Sequence, residues 1–243
     1  MQQIIAAKLK EFREIKPSSS ALDKWIKDSS LWYWLYTAMR INGTPLDRGQ
    51  ILSILDGELI ENLPLDTYSF IHNYAAMYND MLGSIQMQTT PDLKLLGRWY
   101  QMLFEEEPVL RRDNPVIYQW DHVPVHFLQL KDELQALLRR FDRTRWDGSP
   151  IDRAVLLHLE FLKLYPYGEQ SVCMAGALMM YSLLEDGFPL PGLSANEQDY
   201  NVAVGKYINK GDAGLMTDLT ERGLLNRLES VIEVCRQAAE ANE

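Results

Sequence analysis

The sequence predicts an all-α fold with at most one small β-hairpin. Apolar residues return at three- and four-residue spacing in one segment after another, which is the pattern of amphipathic helices. Two segments, 151–164 and 172–184, are apolar nearly all round, and a helix without a polar face belongs at the centre of a bundle. Only the segment 112–123 reads as extended, because it places Val116, Ile117 and Tyr118 between an Asp-Asn-Pro turn and Pro124.

Turn and capping residues delimit the helices of the N-terminal half. A Lys-Pro-Ser-rich break at 16–20 precedes a helix over 20–41, which stops at Asn42-Gly43. Thr90 is predicted as the cap and Pro91 as the first residue of a later helix. Between these two helices, the segment 64–85 aligns one set of apolar side chains on a single face: Phe70, Tyr74, Met77, Tyr78 and Met81.

The helices of the C-terminal half have clearer signals. An amphipathic segment over 127–141 is followed by a helix that Ser149-Pro150 opens and that runs to Leu164. The next helix, 172–185, ends before Gly187. The capping box Ser194 to Glu197 predicts a helix toward Ile208, and 218–241 supplies the last one.

Composition and charge narrow the function classes. The chain has 47% apolar residues, 24% charged residues and a formal net charge of −10, so we expect no nucleic-acid partner. Cys173 and Cys235 lack metal-ligand spacing, which indicates a reducing compartment, and we expect a cytoplasmic protein. The first twelve residues lack the apolar run of a secretory signal. The longest apolar run, 172–181, is about half of what a membrane crossing needs, so we expect no membrane association.

The Tyr-Pro-Tyr-Gly-Glu turn at 165–169 joins the two apolar helices. A turn in this place can present backbone N–H groups at the start of the second helix, where an anion is favoured. A proline break with a carboxylate at such a helix start has the character of a ligand site.

This turn and its surroundings resemble the motif of Fic (Fido) domain proteins, His-Pro-Phe-x-Asp/Glu-Gly-Asn-Gly-Arg-x-x-Arg, which follows a helix ending in Phe-x-x-Ile. Phe161 and Leu164 match the lead-in, and Glu169 matches the acidic position. The resemblance implies an all-α Fic-like bundle. The remaining positions of the motif, from the His onward, carry Tyr165, Pro166, Tyr167, Gln170, Ser171, Val172, Cys173 and Gly176.

Two further segments extend the resemblance. The segment 37–52 is similar to the N-terminal inhibitory segment of self-restraining members, with Thr37 and Gly43 matching and Asn42 in place of the inhibitory Glu. The segment 111–124 is similar to the flap hairpin that clamps a target segment, with Val116, Ile117 and Tyr118 as flap residues. The resemblance implies one domain over 1–243: an N-terminal helical segment over 1–60, a Fic-like core over 61–225 and the end of the C-terminal helix over 226–243.

The substitutions change the chemistry that the resemblance implies. In the family the motif His is the general base for transfer of AMP from ATP, and Tyr165 is a poor base near neutral pH. The family's glycines curl around phosphates, and Gln170, Ser171 and Val172 lack that freedom. Cys173 and Gly176 stand at the two phosphate-binding Arg positions. Glu169 stands where the family holds Mg²⁺. Asn42 and Gly176 stand at the positions of the inhibitory Glu and of its Arg partner, so both members of that ion pair are absent together.

Each of these residues also has a structural interpretation. Glu169 in the first turn of a helix favours the helix dipole, which we prefer to metal binding. Tyr165 and Tyr167 are more typical of packing aromatics than of catalysts. Cys173 fits a small buried hydrophobe, and His158 fits a hydrogen-bonded structural histidine.

Two functions follow. The first is a Fic-fold protein without standard AMP transfer that binds or scaffolds a protein partner, and no cofactor is assigned to it. The second is an enzyme that transfers a nucleotidyl or other group from ATP or another donor, with Mg²⁺, in the same groove. Its candidate cofactor-binding residues are Tyr167, Glu169, Gln170, Ser171, Cys173 and Gly176, with Tyr165 at the catalytic position.

A homodimer is also predicted. Trp25, Trp32, Tyr33 and Trp34 lie close together in the sequence and supply more aromatic surface than one helix face buries.

Overall fold

The described residues form ten α-helices and two short 3₁₀ turns, Tyr118–Trp120 and Gly168–Gln170. The structure is a computed structural model that describes residues 1–15, 19–41, 43–44, 46–193 and 195–240. The predicted all-α fold is therefore confirmed. The helices are α1 Gln2–Ile15, α2 Ser20–Ile41, α3 Arg48–Leu55, α4 Leu65–Gln86, α5 Leu93–Phe104, α6 Phe127–Arg140, α7 Pro150–Leu164, α8 Ser171–Glu185, α9 Glu197–Lys210 and α10 Gly214–Glu240.

Helices α7 and α8 form the centre of the bundle, as their apolar sequences predict. They pack against each other along their length, and α4, α5, α6, α9 and α10 surround them. Most of their side chains are buried, which explains why neither sequence keeps a polar face. No helix within the described ranges is long and apolar enough to cross a membrane.

One charged residue is nevertheless buried in this centre. Arg153 of α7 is 2% exposed, and its guanidinium lies 2.8 Å from Glu185 and 2.9 Å from Asp186. It also donates a hydrogen bond to the main-chain oxygen of Ser182. Because a buried charge is tolerated only when it is paired and hydrogen-bonded, these contacts allow a cation on a core helix.

Helix α2 is an integral part of the core. Trp32 and Trp34 are buried, Trp25 and Tyr33 are half-buried, and the guanidinium of Arg227 lies over the last two rings at 5.6 and 4.7 Å. The expectation that this aromatic cluster leaves exposed surface is therefore wrong. A homodimer stays a prediction, without support from these rings.

Two predicted helix caps are displaced along the chain. Asp92, and not Thr90, caps α5, because its carboxylate accepts the N–H of Leu95 at 2.7 Å. Asn196 caps α9 by accepting the N–H of Asp199 at 2.8 Å. The helix then starts at Glu197, and the predicted cap Ser194 lies outside the described residues. Residues 16–18 of the predicted break before α2 also lie outside them.

The predicted flap is a loop closed by one antiparallel bridge, Ile117 with His122, and it is not a two-stranded hairpin. The 3₁₀ turn Tyr118–Trp120 occupies the space between the bridged residues. Pro115 and Pro124 stand on either side of the bridge. Since proline has no N–H to donate to a ladder, the pairing does not extend beyond them.

Candidate functional site

An open cleft of about 850 Å³ lies between the α7–α8 turn, the flap loop and the start of α9. The turn contributes Tyr165, Gly168 and Glu169 to its walls. Tyr165 and Glu169 thus face the same cleft as the predicted flap residues. The other residues that line the cleft are Ile41, Asp113, Pro115, Val116, Ile117, Tyr118, Gln119, Val172, Glu197, Tyr200 and Asn201.

The turn begins with a residue in an uncommon conformation. Tyr165 ends α7 in the left-handed region, with φ 50° and ψ 51°, and its N–H donates to Phe161 at 3.0 Å. The left-handed conformation is unfavourable for a residue that carries a Cβ, so contacts with surrounding residues must hold Tyr165 in it.

Arg111 supplies several of these contacts. Its Nε–H donates to the carbonyl of Tyr165 at 3.1 Å, and its Nη2 donates to the carbonyl of Leu164 at 3.3 Å. The main-chain N–H of Arg111 donates to Pro166 at 2.9 Å. The same guanidinium also binds the carbonyls of Asp113 and Val125. A cation at these carbonyls also interacts favourably with the negative, C-terminal end of the α7 dipole.

Trp120 and His122 hold the flap loop against the same elements. His122 Nε2 lies 2.8 Å from the carbonyl oxygen of Lys163. The Trp120 indole donates to Asn201 of α9 at 3.1 Å and meets the ring of Tyr165 edge-on at 6.1 Å. These contacts fix the position of the flap loop, which forms one wall of the cleft.

Tyr165 is a neutral phenol in this environment. Burial, and next the charge of Glu169, raises its pKa above the ordinary tyrosine value. Its side chain therefore carries its proton near neutral pH and cannot accept one from a substrate hydroxyl.

Tyr167 and Ser171 lie in the core and do not line the cleft. The N–H of Tyr167 donates to Ser171 Oγ at 2.9 Å, and the Tyr167 ring packs against Tyr100 with the centroids 4.8 Å apart. Burial raises the pKa of Tyr167 to about 12. Gln170 precedes α8 in the 3₁₀ turn, and it too is not among the cleft-lining residues.

Three other predicted residues, Thr37, Cys173 and Gly176, line a separate inner cavity of about 30 Å³ between α2 and α8. The cavity is mostly apolar. The Trp34 indole donates to the Tyr74 hydroxyl at 2.7 Å, and a Cβ at Gly176 would lie 3.7 Å from the Trp34 ring. The rings of Trp34 and Tyr74 therefore occupy the space that faces Gly176.

The described residues of the predicted regulatory segment also lie in different environments, because Thr37 is buried and Gly43 is exposed. The hydroxyl of Thr37 accepts the N–H of Leu193 at 2.9 Å, which joins α2 to the segment before α9. Gly43 lies in an exposed turn with φ 73°, next to the carboxylate of Glu197. Asn42 lies outside the described residues. A regulatory role for these positions stays a prediction.

Tyr200 separates the cleft from the inner cavity and lines both. Its hydroxyl lies 2.9 Å from Nε2 of His158, as a structural role for this histidine predicts. Burial lowers the pKa of His158 to about 4, so the imidazole is neutral. The same effect of burial raises the pKa of Tyr200 far above its ordinary value.

The charged side chains among the described lining residues of the cleft are all negative. Asp113, Glu169 and Glu197 line it, and none of the described lining residues is a lysine or an arginine. Arg111 lies behind this wall and is committed to main-chain carbonyls. No group of three or more His, Cys, Asp or Glu side chains in the described ranges could hold a metal ion.

Sequence patterns alone did not identify Arg111, Asp113, Glu197 and Tyr200 as parts of the site. Arg111 binds carbonyls more than fifty positions away, and Glu197 reads as an ordinary first-turn acid of a helix. The only available signal was the flap resemblance, which placed 111–124 beside the turn without assigning a role to any charged residue.

Solved Fic proteins share this architecture. A Fic domain-containing signaling protein from Bacteroides thetaiotaomicron has a TM-score of 0.81 at 15% identity, over 96% of this chain and 97% of that one. Fic-1 from C. elegans has a TM-score of 0.78 at 17% identity, over 96% and 70%. A Fic family protein from Desulfovibrio desulfuricans has a TM-score of 0.66 at 15% identity, over 98% and 74%.

No protein-family model matches the sequence, and no curated protein sequence is significantly similar to it. The structural likeness at these identities establishes the fold. The chain is therefore a Fic-fold protein, and its activity has to be argued from its own site.

Proposed function

We propose that this Fic-fold protein does not transfer AMP and acts as a binding module whose cleft holds a segment of a partner protein. The observation that carries the proposal is the charge of the cleft, which has three carboxylates and no described lysine or arginine on its walls. A nucleoside triphosphate brings several negative charges, which these carboxylates would repel.

The side chains around the turn support the same conclusion. Tyr165 occupies the position that the resemblance assigns to the general base, and burial with the charge of Glu169 raises its pKa further from neutrality. General-base catalysis contributes about 10²–10⁴-fold to a rate. Electrostatic stabilisation of the transferred phosphate is usually the largest single contribution, and Cys173 and Gly176 cannot supply it.

The flap loop supports a binding role. Arg111, His122 and Trp120 fix it beside the turn, and Tyr118 at its tip is 88% exposed. A preorganised wall with an exposed aromatic side chain suits recognition of a peptide segment, because little conformational freedom is lost on binding.

Incubation with labelled ATP, Mg²⁺ or Mn²⁺ and a cell lysate tests the absence of transfer. We expect no label on this protein or on any lysate protein beyond the level seen without it. Thermal unfolding in the presence of ATP and Mg²⁺ should show no rise in Tm, since a ligand that does not bind the folded state cannot stabilise it.

Glu169→Ala is the control for both assays. Label that appears with the unmodified protein and disappears in Glu169→Ala would contradict the proposal and establish a group transferase in this cleft. A rise in Tm with ATP and Mg²⁺ that Glu169→Ala abolishes would contradict it equally.

A further inference from the structure

We infer that the cleft recognises an extended segment that carries lysine or arginine side chains. This inference rests on the proposed binding function and names the chemistry of the partner. It starts from the continuity of two grooves. The main cleft shares Tyr118, Gln119 and Asn201 with a second groove of about 420 Å³ between the flap loop and α9.

The joined grooves form a path with room for several residues of an extended chain. The path passes Glu169 on the turn and Tyr118 on the flap, and it ends at Val202 and Lys206 on α9. Its apolar side chains are accessible, because Val116 is 48% exposed and Val202 is 55% exposed. Aliphatic and aromatic surface along a groove suits alternate side chains of a bound segment.

The charges along the path are predominantly negative. Asp113, Glu169 and Glu197 line the cleft, and Asp121 lines the second groove. The one cation among the described lining residues, Lys206 of α9, lies 2.7 Å from the carboxylate of Asp212, which follows the C-terminal end of that helix. Lys206 therefore does not neutralise the carboxylates of the cleft.

Two of the cleft carboxylates, Glu169 and Glu197, form no ion pair among the described residues. Neither Glu169 nor Glu197 lies within 4.0 Å of a lysine, arginine or histidine nitrogen in the described part of the chain. Asp113 is close enough to Arg111 to offset part of the desolvation of that guanidinium. Unpaired carboxylates around a concave site attract cationic ligands and disfavour anionic ones.

Lysine and arginine meet both requirements of this path. Their ammonium or guanidinium groups pair with the carboxylates, and their aliphatic stems cover apolar surface such as the ring of Tyr118. A bare metal ion would use only the carboxylates, which do not form a ligand cluster among the described residues. The observations therefore favour a basic segment.

Fluorescence anisotropy with two labelled decapeptides tests the inference. One peptide carries Lys or Arg at alternate positions with Val or Thr between them, and the other carries Glu in place of every Lys and Arg. We expect the basic peptide to bind with a dissociation constant on the order of micromolar, and the acidic peptide to bind at least about tenfold more weakly. Raising the salt concentration from about 50 to about 500 mM should weaken the basic complex.

Two double variants with the same change in net charge locate the site. Glu169→Gln with Glu197→Gln should weaken the basic peptide by about tenfold or more. Glu58→Gln with Asp132→Asn alters two exposed carboxylates away from the cleft and should leave its affinity unchanged. Circular dichroism establishes that both variants are folded.

Equal affinity for the two peptides, equal effects of the two double variants, or no binding of the basic peptide would each overturn the inference. Saturable binding of Mg²⁺ that depends on Glu169 and Glu197, without affinity for the peptide, would replace it with a metal site. Binding of ATP would instead contradict the proposed function, so the two failures are distinguishable.

Discussion

The Nε–H of Arg111 donates a hydrogen bond of 3.1 Å to the main-chain carbonyl of Tyr165. This bond joins the base of the flap loop to the turn between α7 and α8. Arg111 is 9% exposed, and its guanidinium also binds the carbonyls of Leu164, Asp113 and Val125. One side chain therefore determines how two walls of the cleft meet.

Replacement of Arg111 by methionine should lower the free energy of unfolding by about 2–4 kcal/mol, because it leaves several carbonyls without a donor. Urea denaturation measures this loss. Arg112→Met is the matched control, since Arg112 is exposed, and its effect should stay within about 0.5 kcal/mol. Similar losses in the two variants would show that the carbonyl contacts of Arg111 do not stabilise the fold.

Gly176→Ala should raise the free energy of unfolding by about 0.5–1 kcal/mol. Gly176 lies in the interior of α8, where alanine is the better helix former. The added Cβ would meet the Trp34 ring at 3.7 Å, which is an ordinary van der Waals contact.

Gly83→Ala in α4 is the comparison for Gly176→Ala, because a Cβ there would meet nothing within 4 Å. It should give the helix-propensity gain alone, so the two variants should differ only slightly. A lower Tm for Gly176→Ala, beside a higher Tm for Gly83→Ala, would mean that Trp34 leaves no room beside α8.

The protein should lose stability as the pH falls from about 6.5 to about 4, and His158 should be one cause. Burial lowers the pKa of His158 from 6.5 to about 4 in the folded state. The unfolded chain therefore binds this proton first, and protonation favours unfolding. The stabilisation that the neutral imidazole provides is complete above pH 6.5. About 3 kcal/mol of it is lost as the pH falls to about 4.

Denaturation curves at several pH values should show a flatter pH dependence for His158→Gln than for the unmodified protein. His72→Gln, which alters an exposed histidine, should keep the original slope. If His158→Gln and the unmodified protein lose stability in parallel, the neutral state of His158 does not contribute to the pH dependence.

Arg227→Ala should lower the free energy of unfolding by about 3 kcal/mol. The side chain is 3% exposed, and it donates to Ser29 Oγ and to the carbonyl of Ile26. Burial lowers its pKa to about 10, so it remains charged at neutral pH. Its loss would remove the contacts with the Trp25 and Tyr33 rings and leave a cavity between α2 and α10.

Arg222→Ala on the same helix is the control for Arg227→Ala, since Arg222 is exposed and should tolerate the change. Arg227→Lys should recover only part of the stability, because lysine keeps the charge but lacks the planar donor group. Full recovery in Arg227→Lys would show that the charge alone, and not the guanidinium geometry, stabilises this position.

Local patterns in the sequence determined the helices and the centre of the bundle. The apolar segments 151–164 and 172–184 predicted α7 and α8, because only a buried helix can lack a polar face. Ser149-Pro150 correctly predicted the first residue of α7. Where two capping residues compete within a few positions, as at Thr90 and Asp92, the pattern identified the helix but not its first residue.

Tertiary structure decided which residues share a surface. Tyr167 and Ser171 are close to Glu169 in the sequence, yet they lie in the core, whereas Asp113 and Glu197 come from distant segments and line the cleft. Arg111 reaches the turn across more than fifty residues. A helical pattern is set by contacts within a few residues, but a cleft is set by long-range packing of whole helices, and its charge therefore emerged only once the fold had brought those segments together.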